Sequence, residues 1–257
     1  MAPEVMMTTE AAPYRRLRAW NLVLGFLHAA QGALVLALAT NFTLPVTGTF
    51  MEGPPGTPVG DPDTLFSVDV AWGVAAFLVL SAAAHLTLTV PAVERWYARH
   101  LEDGRNYARW VEYSVSASVM VVLIAMITGI SDVAALSALF GVNAGMIFFG
   151  LVQERYERPG GSLLPFWLGS IVGVVPWVAI GIYLWAPGAS AEPPGFVYGI
   201  YVSLFVFFFS FAANQWLQYR RVGKWRSYLV GERTYMVLSL TAKSALAWQV
   251  FASTLAG

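Results

Sequence analysis

Two residues of opposite charge stand inside long apolar runs. Lys243 lies in Tyr235-Met-Val-Leu-Ser-Leu-Thr-Ala-Lys-Ser-Ala-Leu-Ala-Trp-Gln-Val-Phe251, and Glu112 lies in Arg109-Trp-Val-Glu-Tyr-Ser-Val-Ser-Ala-Ser118. A lysine near the middle of a bilayer span costs about 2.5 to 3.5 kcal/mol on insertion scales, so it belongs where it faces a bundle interior and has work there. The work open to a lone buried amine is covalent. It can form a Schiff base with an aldehyde, and a nearby carboxylate then holds the iminium in its cationic form. Glu112 is the candidate carboxylate. The bland alternative is a buried salt bridge that fixes helix packing.

Other polar residues fall near the same depth. Ser239 precedes Lys243 by four and Ser116 follows Glu112 by four, so each shares a helix face with its charge. His28 and Gln31 are one turn apart in the first apolar run, and Ser81 and His85 are four apart in the second. At 1.5 Å per residue, Glu112 lies about 8 Å and Lys243 about 13 Å in from the basic ends of their helices. Helical side chains lean toward the N-terminus, which brings the lysine nitrogen toward the level of Glu112. Hydrocarbon does not tolerate unsatisfied polar groups, so these residues must satisfy one another or ordered water. Asn143 and Met146, Trp177 after Pro176, and Phe208, Phe211 and Gln215 at helical spacing are candidates for lining an apolar slot beyond the lysine. Aromatic stripes of this kind also serve as plain packing.

The elements that must position these residues are membrane helices. The chain has 257 residues, is 57% hydrophobic and 12% charged, and has no cysteine, which excludes a disulfide or thiolate metal site. Runs long enough for about 30 Å of hydrocarbon predict spans at 19–40, 66–90, 107–129, 133–153, 163–185, 196–218 and 234–255. The expected fold class is an all-α membrane protein, one seven-helix domain over residues 1–257 with no internal repeat. Residues 1–18 form an N-terminal segment. The long connection 41–65 holds Phe42-Thr-Leu-Pro-Val-Thr-Gly-Thr-Phe-Met51 and then Gly53-Pro-Pro-Gly56, either a short hairpin or an extended loop, with Pro45 weakening the strand reading.

Charge sets the expected orientation. Of 15 Lys and Arg residues, all but Lys243 cluster before the first span or within or bordering the connections after the second, fourth and sixth, while the connections after the first, third and fifth carry none. The positive-inside rule then puts the N-terminus in the cytoplasm and the C-terminus outside, in a multi-pass protein of the cell membrane. A formal net charge of zero makes nucleic acid an unsuitable partner. Arg220-Arg-Val-Gly-Lys-Trp-Arg226 reads as an anchor at anionic lipid or a docking site for a cytoplasmic signalling partner of unknown identity.

The Arg109–Ser118 and Ser239–Gln249 segments, with the seven spans around them, resemble those of the heliorhodopsin family of retinal-binding rhodopsins. The expected orientation agrees, because ordinary microbial rhodopsins run the other way. The resemblance implies all-trans retinal as a protonated Schiff base on Lys243, with Glu112 as counterion and Ser239 where ordinary microbial rhodopsins hold a second carboxylate. It also implies His28 and His85 in a polar cavity beside that nitrogen. The expected chromophore-site residues are these five with Ser116, Gln31, Ser81, Tyr113, Asn143, Met146, Trp177, Phe208 and Gln215. No catalytic residue, enzyme activity or metal site is expected. The family's homodimers, with the first outer connection reaching toward the partner, and its slow photocycles point to a light sensor or regulator. Two rival readings are a light-driven proton pump and a small-molecule transporter without retinal. A pump would want a second helix-three carboxylate, where this chain has Leu123, and an acid at 239. A transporter would need a polar path through the outer halves of helices three and seven, which are nearly all apolar. Should Glu112 not be the counterion, Asp69 is the next acid to consider.

Overall fold

The computed structural model describes residues 7–185 and 193–255. Most of the expected connection after the fifth span, and the chain ends, lie outside them. Eight α-helices and one two-stranded sheet follow in the order α1 (Met7–Ala37), β1 (Thr43–Gly48), β2 (Asp63–Asp69), α2 (Val70–Thr87), α3 (Pro91–Glu102), α4 (Tyr107–Ile127), α5 (Val133–Tyr156), α6 (Leu164–Leu184), α7 (Gly195–Tyr219) and α8 (Tyr228–Leu255). Among the described residues six helices are long and apolar enough to cross a membrane: α2, α4, α5, α6, α7 and the Arg16–Ala37 part of α1. The seventh, α8, is long enough, but its polar residues, Lys243 and Gln249 among them, dilute its hydropathy. Packing places α8 in the bundle all the same. Neighbours run α1, α2, α4, α5, α6, α7, α8 and back to α1, a closed ring of seven. The expected seven-helix bundle is therefore the observed one.

The ring closes on a core in which Phe77, Leu78, Val121, Ile124, Ile180, Leu204 and Leu246 are fully buried, drawn from α2, α4, α6, α7 and α8. Leu123 sits in this core. Beyond Glu112 and Lys243, α4 and α8 pack chiefly through apolar side chains, with Gln249 of α8 bonded to Ser203 of α7.

Helices α1 and α8 begin earlier than expected, at Met7 and Tyr228, and two further departures have clear causes. Residues 66–69, expected at the start of the second span, belong to β2, and the helix begins at Val70 because Asp69 caps it, its Oδ1 accepting from the backbone N–H of Ala71 (2.9 Å) and Trp72 (3.2 Å). Asp69 is committed to that cap, about 18 Å along α2 from Ser81 at 1.5 Å per residue, so it is no alternative partner for Lys243. The connection before it is a hairpin: β1 and β2 pair antiparallel, with Thr43 opposite Asp69 and a bulge between Val46 and Thr47. Pro45 does not disrupt it. The N–H of Thr47, two residues on, points away from β2 to the Ser131 carbonyl (2.8 Å), so position 45 faces the same way and no ladder bond is lost.

The second departure is α3, expected only as a connection. Pro91 opens it, Tyr97 and Leu101 form its buried face against Leu17, Leu24, Leu88 and Met236, and Arg95, Arg99 and Glu102 are exposed. At 12 residues it is too short to span. It lies outside the ring and covers the Lys/Arg-rich end of α1, α2 and α8.

Candidate functional site

Lys243 projects from the middle of α8, 3% exposed, and its Nζ lies 2.7 Å from Glu112 Oε1 on α4 and 2.5 Å from Ser81 Oγ on α2. Ser81 Oγ is in turn 2.6 Å from the same Glu112 oxygen and 3.0 Å from the Phe77 carbonyl. Ammonium, carboxylate and hydroxyl thus form a three-membered contact joining three helices. The Tyr113 ring lies 5.1 Å from Nζ, and its hydroxyl donates to the Tyr235 carbonyl (3.1 Å). That contact brings a second electron-rich group to the cation.

On α1 and α2 the two expected histidines meet. His28 is fully buried and its ring stacks on that of His85, with centroids 5.8 Å apart and planes inclined by 10°. His85 Nδ1 contacts Asn21 Oδ1 at 2.7 Å. Among the described residues both ring nitrogens of His28 are buried without a direct hydrogen-bond partner, while the Ser116 hydroxyl lies near Glu112 and that of Ser239 near Tyr113. Gln31, expected beside them, is taken elsewhere: its Oε1 accepts from the Trp248 indole at 3.2 Å. Of the two serines chosen by their spacing from the charges, neither bridges them; Ser81 does. Spacing along one helix places a residue on a face, but only the packing of α2 against α4 shows which hydroxyl reaches the pair.

An apolar cavity opens from Lys243 between α4, α5, α6, α7 and α8. Met146, Phe208, Phe211 and Gln215 line it as expected, with Tyr113 and Ser239. Asn143 and Trp177 do not. Asn143 turns its amide to Ser118 Oγ (3.0 Å) between α4 and α5, and Trp177 packs edge-on against Tyr201, Phe205 and Phe208 in the core. Trp110, Ala117, Met120, Phe149, Phe166 and Tyr235 also line the cavity. Nothing distinguishes these from ordinary membrane-helix side chains in the sequence. Close helix approach shapes the wall: a Cβ on Gly150 would meet the Trp110 ring at 2.4 Å, and one on Gly173 would meet Met146 Sδ at 2.5 Å.

The space between these side chains amounts to about 810 Å³, counting its opening to the surroundings. A long hydrocarbon aldehyde suits it, because the walls are apolar and Lys243 offers the amine. Glu112 and Ser81 stand ready to hold a positive charge on that nitrogen.

Sequence spacing missed a further set of buried ions. Arg109, on the border of the third span and counted among the orienting charges, is 6% exposed inside the bundle. It pairs with Glu154 at the end of α5 and Glu232 at the start of α8. The signal available was weak, since a charge at the end of an apolar run is normally a solvated one.

A bundle of seven helices with a buried lysine on the last and a carboxylate facing it is the architecture of a microbial rhodopsin. The transmembrane domain of the Salpingoeca rosetta rhodopsin phosphodiesterase has a similar fold, with a TM-score of 0.69 at 12% identity over 100% of this chain and 90% of that one. Thermophilic rhodopsin is similar with a TM-score of 0.58, again at 12% identity, over 95% of this chain and 93% of the other. At that identity the likeness is one of fold. The sequence itself matches the heliorhodopsin family over residues 17–255, and the chain belongs to that family. No curated protein sequence matches it. The chain is therefore a multi-pass membrane protein of a retinal-binding family.

Proposed function

We propose that the protein is a light sensor that carries all-trans retinal as a protonated Schiff base on Lys243, with Glu112 as counterion. The observation that carries this reading is the 2.7 Å contact between Nζ and Glu112 Oε1 beside an apolar cavity. When bound, retinal supplies light absorption and isomerisation. The chain's own residues do the rest. Glu112 and Ser81 hold the positive charge at the Lys243 nitrogen, Tyr113 adds its ring face, and the apolar lining excludes water. His28 and His85 form a polar group beside the pair. With Leu123 in the hydrocarbon core and Ser239 in place of an acid, a single carboxylate faces the nitrogen, which suits a sensor better than a pump. The same reading puts the N-terminus in the cytoplasm, makes the chain one retinal-binding domain without enzyme activity, and gives the hairpin a role in a homodimer.

The test is colour. Purified protein given all-trans retinal should absorb in the visible, and Lys243→Ala should not. A visible retinal pigment that survives in Lys243→Ala would end the assignment.

A further inference from the structure

One turn before Glu112 on α4 stands a second buried ionic group. Arg109 donates from Nη1 to Glu232 and from Nη2 to Glu154, and its guanidinium lies between the Trp110 and Tyr235 rings, 4.5 and 4.0 Å from their centroids. Glu154 and Glu232 are 3% and 1% exposed. Among the described residues Arg109 is the one cation ion-paired to either carboxylate, so with both ionised the group carries a surplus negative charge away from water. Such a surplus is costly and is relieved by one proton.

The two carboxylates are not equivalent. Glu154 accepts from Arg109, Tyr228 (3.3 Å), the Asn106 backbone N–H (2.9 Å) and the Trp110 indole (2.7 Å), one donor for each of about four lone-pair sites. Glu232 accepts from Arg109 and from the Asn106 side-chain amide (2.7 Å), and the Tyr228 hydroxyl is within its reach as well. Its remaining lone pairs are the place where a proton can add. The titratable groups that act on Glu232 are Arg109 on α4, Glu154 on α5, Tyr97 on α3, and Tyr228 and Tyr235 on its own helix, with Tyr113 farther along α4. Burial holds the Tyr97 phenol well above its ordinary value, so it stays neutral.

A small cavity, with about 30 Å³ open to water-sized molecules, lies between this group and the chromophore site. Glu112 and Glu232 both line it, with Asn21, His85, Asn106 and Tyr97. It has room for one or two ordered waters. Asn21 Nδ2 is buried there, near the Tyr97 hydroxyl. We propose that Glu232 is a second proton-binding site, joined to Glu112 by this cavity, and that a proton displaced from the Lys243–Glu112 pair is taken up on it. The displacement rests on the light-sensing reading; the site itself does not. In the transfer one N–H bond at the Lys243 nitrogen breaks and its electron pair stays on nitrogen. One O–H bond forms on Glu232, no electron changes hands, and Glu112 stays ionised. The Arg109 group goes from a net charge of minus one to zero. A protonated Glu232 holds Arg109 less tightly, which loosens α8 from α4 at the Lys/Arg-rich end and gives light a mechanical output there.

Infrared difference spectroscopy on the full chain in lipid nanodiscs tests both parts. In retinal-free protein, acidification should raise a deuterium-sensitive carboxylic acid band that disappears in Glu232→Gln and moves in Glu232→Asp. If neither variant changes the acid bands, Glu232 is not a proton site. With retinal bound, the same band should rise in light as visible absorbance gives way to a near-ultraviolet form, and be missing in Glu232→Gln. A light-induced acid band that persists in Glu232→Gln, or a proton that appears on imidazole instead, would overturn the transfer. Failure to form any pigment would sink the light-sensing reading and leave the retinal-free titration to decide the site.

Discussion

Glu112→Gln separates the charge of the counterion from its shape. In the wild type a full carboxylate charge lies 2.7 Å from the Lys243 nitrogen. Coulomb's law at an effective dielectric of about 20 puts the attraction at roughly 6 kcal/mol. The amide oxygen of glutamine and the Ser81 hydroxyl, 2.5 Å from Nζ, remain to offset part of that loss. Removing one partner of a buried pair costs about 3 to 5 kcal/mol in measured cases. At 1.36 kcal/mol per pH unit this lowers the midpoint for loss of the visible band by about 2 to 4 units. The sign follows from which form the carboxylate favours. It stabilises the cation, which is lost as pH rises, so without it the loss comes at lower pH and a near-ultraviolet fraction should appear near neutrality. The fraction that stays cationic should absorb further to the red, because its charge is less localised at nitrogen. The assay is a pH titration of the visible band. Ser81→Ala, which removes a hydrogen bond to a charged group, should move the midpoint by about 1 to 2 units, and Ser239→Ala should move it less because its hydroxyl touches neither charge. An unchanged titration in Glu112→Gln would mean that the ion pair described here is not the one that holds the chromophore's charge.

Three more outcomes are expected. A tag at Gly257 should react with impermeant reagents outside intact cells and one before Met1 should be protected; the reverse pattern would overturn the orientation. Illumination should drive no sustained pH change in a lightly buffered cell suspension, since neither Leu123 nor Ser239 supplies a second carboxylate, and a protonophore-sensitive change would refute this. Gly150→Ala should cost about 1 to 3 kcal/mol, read as a lower thermal midpoint of the bleached or intact protein, because its Cβ meets the Trp110 ring at 2.4 Å and that ring is held by its bond to Glu154; a neutral result would show that α4 and α5 can separate there freely.

Sequence alone determined the large features because they follow from hydrocarbon. A bilayer demands about 20 apolar residues per crossing, so seven spans were legible to within a few residues, apart from the starts of α1 at Met7, of α2 at Val70, which Asp69 sets, and of α8 at Tyr228. It excludes an unneeded charge from mid-span, so Lys243 and Glu112 stood out at once. Tertiary packing decided what periodicity does not encode. Which hydroxyl bridges the pair depends on α2 lying against α4, which selects Ser81 over Ser116 and Ser239. Gln31, Asn143 and Trp177 have helical spacings as suitable as Met146 or Phe208, yet their neighbours Trp248, Ser118 and Tyr201 draw them away from the cavity. Helix α3 is short and basic, so it lacks the hydrophobic run that makes a span visible, and its face of Tyr97 and Leu101 has meaning only once α1 and α8 are there to cover it. The Arg109 group is the clearest case. Its three ions come from the ends of α4, α5 and α8, where charges usually meet water, and only the closure of the ring buries them together.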